Sequence, residues 1–292
     1  MKSHRLTAYL LLIIVSIIWA IAGPVIKYVL GELPPLTFLL YRFTVSSVVA
    51  VVTFLFTGFH LPKKLSTIFL LISYGFITST VSLGLLFVGL KQTSVLEMSL
   101  LSLIGPLMIA LSGVIFLNEH ITKKEKIGMG IALIGTILTV FEPLISDGMG
   151  FSRISGNLLI ILYLVANTVS VVLCKKLLRL GVSPSLMTNL TFIVGFITTL
   201  PLAVGQVNFS HLSFYSILGI VFLAVLSGNL AYYLSNKAQK SIEVGEAALF
   251  SYLYPLLAMP LAVIWLHEKI TLPYIIGAII VAIGVVIAEL KK

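Results

Sequence analysis

Hydrophobic residues fall into ten long blocks, at 6–29, 35–57, 67–90, 95–117, 126–144, 156–178, 185–204, 213–235, 245–266 and 273–290. Each is about 20 residues long and lacks period-2 alternation, so it has the length of a bilayer-crossing helix and not of a barrel strand. Proline punctuates the blocks at Pro34, Pro35, Pro62, Pro184 and Pro273, in loops or first helical turns where a missing N–H does no harm. Thr122 and Glu125 have the spacing of a capping box opening the fifth helix. The longest polar connection, ISDGMGFSRIS at 145–155, is the expected hinge between two halves.

The blocks repeat. FLNEHIT at 116–122 returns as WLHEKIT at 265–271, a shift of 149 residues. The same shift carries Pro35 to Pro184, Phe43 to Phe192, Lys91 to Lys240, Glu97 to Glu246 and Ser102 to Ser251. It also carries Pro106 to Pro255, Glu119 to Glu268, Gly128 to Gly277 and Gly135 to Gly284, while a shift of 148 takes Lys27 to Lys175. So many polar, glycine and proline matches in one register predict an all-α membrane protein with ten transmembrane helices, as five-helix repeats at 1–148 and 149–292. Five crossings per half place the second repeat upside down relative to the first, an arrangement found in secondary transporters.

Composition sharpens this picture. The 292 residues are 59% hydrophobic and 10% charged, against about 25% charged in soluble domains, so the solvent is lipid and not water. The net charge of +9 does not point to nucleic acid, because the cations lie in short loops between blocks. Fourteen Lys and Arg fall on the side holding the N-terminus, the even-numbered loops and the C-terminus; Lys27, Lys91, Arg153 and Lys269 fall on the other, and Arg42 lies within a span. The excess of positive charge marks the cytoplasmic side, giving a multi-pass protein of the plasma (inner) membrane with both termini cytoplasmic. Ala20-Ile21-Ala22 resembles a signal-peptide cleavage site, but the apolar run continues past it, so a retained first span is expected. The single cysteine, Cys174, excludes an intrachain disulfide. CxxC, HExxH, P-loop and GxSxG patterns are absent, as are a nucleophile–base pair and a carboxylate or His/Cys cluster. The chain therefore reads as no enzyme, without metal or cofactor.

Certain stretches resemble the drug/metabolite transporter superfamily, EamA type. They are IIWAIAGPVIKY near the start, LLYRF in the second block, and LSLIGPLMIALSGVIFLNEHIT running into GMGIALIGTIL. The second copy reads FSYLYPLLAMPLAVIWLHEKIT, then GAIIVAIGVVI. The resemblance covers nearly the whole chain and implies export of amino acids, other metabolites or toxic compounds, often with proton coupling. The copies differ where Arg42 is matched by Thr191.

Candidate transport residues emerge from the cost of polarity in lipid. Pro106 and Pro255 interrupt helix bonding near mid-span and free the carbonyls of Ser102 and Ser251, either as structural kinks or as gates. Arg42 lies seven residues past Pro35, roughly 10 Å deep at 1.5 Å per residue; it either holds an anion or snorkels to headgroups, and Glu97 is its expected partner. Glu246 is a coupling candidate or a helix-start carboxylate. Asn229, Tyr232 and Asn236 share one helical face. Asn167, Thr78, Ser79, Thr80, Trp19, Tyr252 and Tyr254 add polar or aromatic groups, either lining a cavity or joining helices. Glu119 and Glu268 are expected to anchor the turns into the next helix. The glycine pairs Gly128/Gly135 and Gly277/Gly284 serve internal packing or a dimer contact, leaving monomer and homodimer both open. The substrate-binding set is thus Trp19, Arg42, Thr78, Ser79, Ser102, Asn167, Asn229, Tyr232, Ser251 and Tyr252, with Glu97, Pro106, Glu246 and Pro255 for gating or coupling. The function expected is alternating-access transport of small organic molecules, with a passive channel or facilitator as the alternative.

Overall fold

The computed structural model describes residues 2–117, 123–146, 150–203, 205, 212–242 and 244–289. All regular structure among them is helical. The first half comprises α1 (Lys2–Glu32), α2 (Pro35–Thr57), α3 (Leu65–Phe76), a π-helical segment (Ile77–Leu83), α4 (Gly84–Gln92), α5 (Val95–Ser102), α6 (Gly105–Leu117) and α7 (Lys123–Ser146). The second comprises α8 (Gly150–Arg179), α9 (Pro184–Ala203), α10 (Phe214–Ala224), a π-helical segment (Val225–Leu230), α11 (Ala231–Gln239), α12 (Val244–Leu249), a 3₁₀ turn (Phe250–Tyr252), α13 (Leu253–Leu266) and α14 (Leu272–Glu289). Eight helical stretches are long and apolar enough to cross a bilayer, and two shorter apolar helices, 126–138 and 272–287, lie within α7 and α14. Leu55, Phe56, Phe69 and Ile264 stand on the outside, as expected where lipid replaces water.

Both halves carry the same irregularities. The π-helical segments interrupt the third and eighth blocks at matching positions, and the fourth and ninth blocks break at Leu103–Ile104 and at Phe250–Tyr252. These breaks differ from the single kinked helices expected. Pro106 is the second residue of α6 and Pro255 the third of α13, first-turn positions where no N–H is required. The chain therefore restarts a helix at each proline instead of bending through it. The polar connection expected over 145–155 is also shorter among the described residues, with 147–149 outside them. Ile145 and Ser146 continue α7, and 150–155 belong to α8. Arg153 is fixed by Glu97 at 3.1 Å, and Gly156 packs against Gln92 and Gly89, so tertiary contacts extend α8 through a polar stretch.

Counterpart helices meet each other. A Cβ on Gly135 would lie 3.0 Å from the Gly277 carbonyl oxygen and 2.8 Å from the Val281 nitrogen, and one on Gly284 would lie 2.7 Å from the Gly128 carbonyl oxygen. The residues facing α14 rise along α7 as their partners fall, so the two helices run antiparallel. The contacts are also reciprocal, as a twofold axis across the helices requires. Phe43 of α2 and Phe192 of α9, one repeat apart, meet with ring centroids 6.1 Å apart, and Ser47 donates to the Phe192 carbonyl at 3.1 Å. The four glycines thus serve internal packing.

Candidate functional site

A cavity of about 190 Å³ lies between the halves. Trp19 and Gly23 of α1 and Arg42 of α2 form one wall. The broken fourth block contributes Met98, Ser102 and Pro106, and the ninth contributes Ser251 and Tyr254. Tyr163 and Asn167, one turn apart on α8, and Ser227, Tyr232 and Gln239 of the eighth block complete it. Helix ends at both breaks bring backbone polar groups to a depth where lipid would not tolerate them, which is permitted only around a cavity.

Aromatic packing sets the walls. The Trp19 indole N–H donates to the Ser227 carbonyl at 3.1 Å, and its ring meets Tyr232 edge-on at 5.4 Å. Tyr232 in turn meets Phe192 edge-on at 5.5 Å. Ser102 donates to the Met98 carbonyl of its own helix at 2.7 Å, which satisfies the hydroxyl locally at the break.

Arg42 is 1% exposed, so it does not snorkel. Its guanidinium carbon stands 5.6 Å from the centre of the Phe87 ring, and its Nε has no hydrogen-bond partner. The expected pair with Glu97 does not form. Glu97 is held instead at the far end of the bundle, 1% exposed. There it meets Arg153 at 3.1 Å, the Thr93 hydroxyl at 2.5 Å, the Asn157 amide at 3.3 Å and the backbone N–H of Ser94 in a capping box that opens α5. Arg153 lies in the stretch expected to be a loop, so its approach was hidden from the pattern.

Around Glu97 the same end is closed by cross-helix contacts. Lys27 donates to the Leu90 carbonyl at 2.8 Å and to that of Thr93, and Lys91 donates to the carbonyl of Leu30. His267 adopts a left-handed conformation, φ 55°, that ends α13. Glu268 comes next, and its two carboxylate oxygens accept the N–H groups of Val95 and Leu96, each at 2.8 Å. Glu268 therefore caps α5 of the other half, rather than anchoring its own turn. Burial raises its pKa; the two amides and Lys27 oppose this and the Glu97 charge adds to it. At the opposite end Lys175 repeats the part of Lys27, donating to the carbonyls of Gln239 at 2.9 Å and Ile242 at 2.7 Å.

Among the sequence candidates, Trp19, Arg42, Ser102, Pro106, Asn167, Tyr232 and Ser251 line the cavity. Thr78, Ser79, Asn229 and Tyr252 do not. Ser79 donates to the Gly75 carbonyl at 2.7 Å and packs against Gly195; Asn229 donates to the Ser46 carbonyl at 3.1 Å. The Ser79 hydroxyl is thus spent on its own helix, and the Asn229 amide N–H links the eighth block to α2. The reason lies in the π-helical segment at 225–230, whose extra residue rotates the remainder of the helix. Tyr232, Ser235 and Gln239 face the cavity, while Asn236 turns away to accept from Tyr74 at 3.3 Å and donate to Thr188 at 3.0 Å. Glu119 and Thr122 lie outside the described residues, as do the side chains of Glu125, Glu246 and Pro255. Tyr163, Gln239, Ser227 and Ser235 were missed; the Tyr163/Asn167 spacing and the Tyr232/Ser235/Gln239 spacing, each on one helical face, could have drawn attention to three of them.

The profile of the EamA-like transporter family matches residues 6–141 and again 154–290. The uncharacterised transporter YyaM of Bacillus subtilis (strain 168) is 26% identical over 289 residues, covering 98% of this chain and 94% of that protein. An uncharacterised transporter of Archaeoglobus fulgidus is 25% identical, covering 94% of this chain and 95% of that protein. A protein of Salmonella typhimurium (strain LT2) titled "probable amino-acid metabolite efflux pump" is 22% identical, covering 95% and 93%. One solved crystal structure superposes with a TM-score of 0.69 over 99% of this chain and 97% of its own, at 18% identity.

Proposed function

Because the chain belongs to the EamA-like transporter family, we propose that it is a secondary active transporter that moves a small organic metabolite by alternating access. The observation that supports this most is the placing of the cavity. It starts near Gly23 and Met98, beneath the network of Lys27, Glu97, Arg153 and Glu268, and extends to Gln239 and Val244 at the opposite end of the bundle. A chamber sealed from one end by contacts that join the two halves is what one conformer of an alternating-access cycle requires. The reciprocal contacts between α7 and α14, and between α2 and α9, fit inverted repeats that rock about an axis in the membrane plane. Export of an amino-acid-sized metabolite, proton coupling, a plasma-membrane location and cytoplasmic termini complete the reading. The volume supports the size, since drug-sized sites occupy about 300–1,000 Å³.

The test is accumulation. Purified protein is screened by thermal shift against a metabolite library, and the metabolites that raise its melting temperature are offered to proteoliposomes under an imposed pH gradient. Accumulation above equilibrium that collapses on adding an uncoupler is the expected result. Equilibration alone would make the protein a facilitator, and no uptake of any hit would remove the reading.

A further inference from the structure

We propose that the cavity takes an organic anion, a carboxylate on a small apolar or aromatic body, and that the Arg42 guanidinium holds the anionic group. The inference rests on the cavity being the transport site. It begins with a charge that lacks a partner. Arg42 is 1% exposed, lines the cavity, has no bonded Nε, and forms no hydrogen bond or ion pair with any described residue. The face of Phe87 lies against it, which attracts the cation and leaves the N–H edge unused, and Tyr232 is near enough to interact with its charge. A buried guanidinium in this condition is costly, and a carboxylate offers the two-oxygen geometry that matches its fork.

Two further observations set the sign and the shape of the ligand. The described residues of the wall include no carboxylate, so the charge of Arg42 is not cancelled and an organic cation is repelled. The pseudo-symmetric scaffold does not supply a second cation either. The counterpart of Arg42 is Thr191, whose hydroxyl is turned onto its own helix, donating to the Met187 carbonyl at 2.7 Å. One charge per cavity selects one anionic group. The body then meets Trp19, Tyr163, Tyr232 and Tyr254. The Trp19 N–H is already occupied by Ser227, so the indole presents carbon to its neighbour. The site thus joins a single anion contact to an aromatic chamber of about 190 Å³.

Trp19 also provides the readout, because the chain has two tryptophans and Trp265 lies half-exposed on α13, away from the cavity. The intact protein carrying Trp265→Phe is titrated in detergent with hydrocinnamate, its neutral isostere hydrocinnamamide, and the cation 3-phenylpropylamine, following Trp19 emission. The expected result is half-saturation by hydrocinnamate at a concentration at least tenfold lower than by the amide, with no response to the amine. Arg42→Gln should bring acid and amide within twofold of each other, and Arg42→Lys should keep part of the preference. If Arg42→Gln does not fold, the acid-to-amide ratio in the parent protein decides. Equal half-saturation by acid and amide overturns the anion assignment and leaves the transport cavity standing. A Trp19 signal unmoved by all three compounds overturns both.

Discussion

A carboxylate that caps a helix from a distant part of the chain makes that contact sensitive to its own protonation. Glu268 accepts two α5 amides at 2.8 Å, yet burial outweighs them and lifts its pKa above the ordinary 4.5. A raised folded-state pKa means that the folded protein binds more protons than the unfolded chain between the two values. Stability from this group is therefore complete below about pH 4.5 and falls as pH rises through the folded value. In Glu268→Gln the side chain no longer titrates. Its melting temperature should be flatter than the wild type from pH 4.5 upward, and at neutral pH α5 should lose one of its two acceptors. Melting curves in detergent at half-unit pH steps check both; parallel curves for the two proteins would show that folding does not raise the pKa of Glu268. Lys27 works on the neighbouring segment from the opposite charge, closing off carbonyls at the end of α4 where the helix has no further donors.

At the scale of the element, the π-helical segment at 225–230 decides which residues see the cavity. One residue of an α-helix is about 100° of rotation, so removing the extra residue restores a regular helix and swings Tyr232, Ser235 and Gln239 off the wall. Deleting Leu226, which is exposed within that segment, should leave yield and helix content near wild type and abolish accumulation in proteoliposomes. Retained accumulation would mean that the eighth block does not set the site. This is also where the sequence stops being legible. The blocks, the repeat and the prolines can be read because lipid imposes length and duplication imposes register. An inserted residue inside an apolar helix alters neither composition nor block length, so the face 229/232/236 looked like the polar one when 227/232/235/239 faces the cavity. The end of α8 was hidden for a different reason, since its polar start is held by Glu97, sixty residues away in sequence. The glycines were readable as contacts but not as to partner. With the structure, Gly284→Ala should cost about 1–3 kcal/mol, because its Cβ would meet backbone of α7 that cannot step aside. Gly130→Ala, on the same helix pair but with nothing within 4 Å, should melt at or slightly above the wild type because Ala favours the helix over Gly, and an equal loss in both would show that the close approach of α14 to α7 is not the cause.

At the scale of the molecule, the question is whether the halves must part for transport. α13 and α14 bring Glu268 to the start of α5, while α8 brings Arg153 and Asn157 to the same place. Together these contacts stand between the cavity and that end of the bundle. The opposite end has the matching lysine, Lys175, over the end of α11. A cycle that exposes the cavity first at one end and then at the other must release α5 from Glu268 once per turnover. Cross-linking should therefore trap it. With Cys174 replaced by serine as the only cysteine to remove, Val95→Cys and Glu268→Cys can be joined by a short reducible bis-thiosulfonate. The doubly substituted protein should transport before treatment, stop when cross-linked and recover when reduced, whereas each single variant should be indifferent to the reagent. A rocking pair of inverted halves cannot turn over with α5 tied to the α13–α14 turn, but a pore that conducts through a fixed opening can. Continued transport in the cross-linked protein would therefore reject alternating access at this end, and identify the network as scaffold.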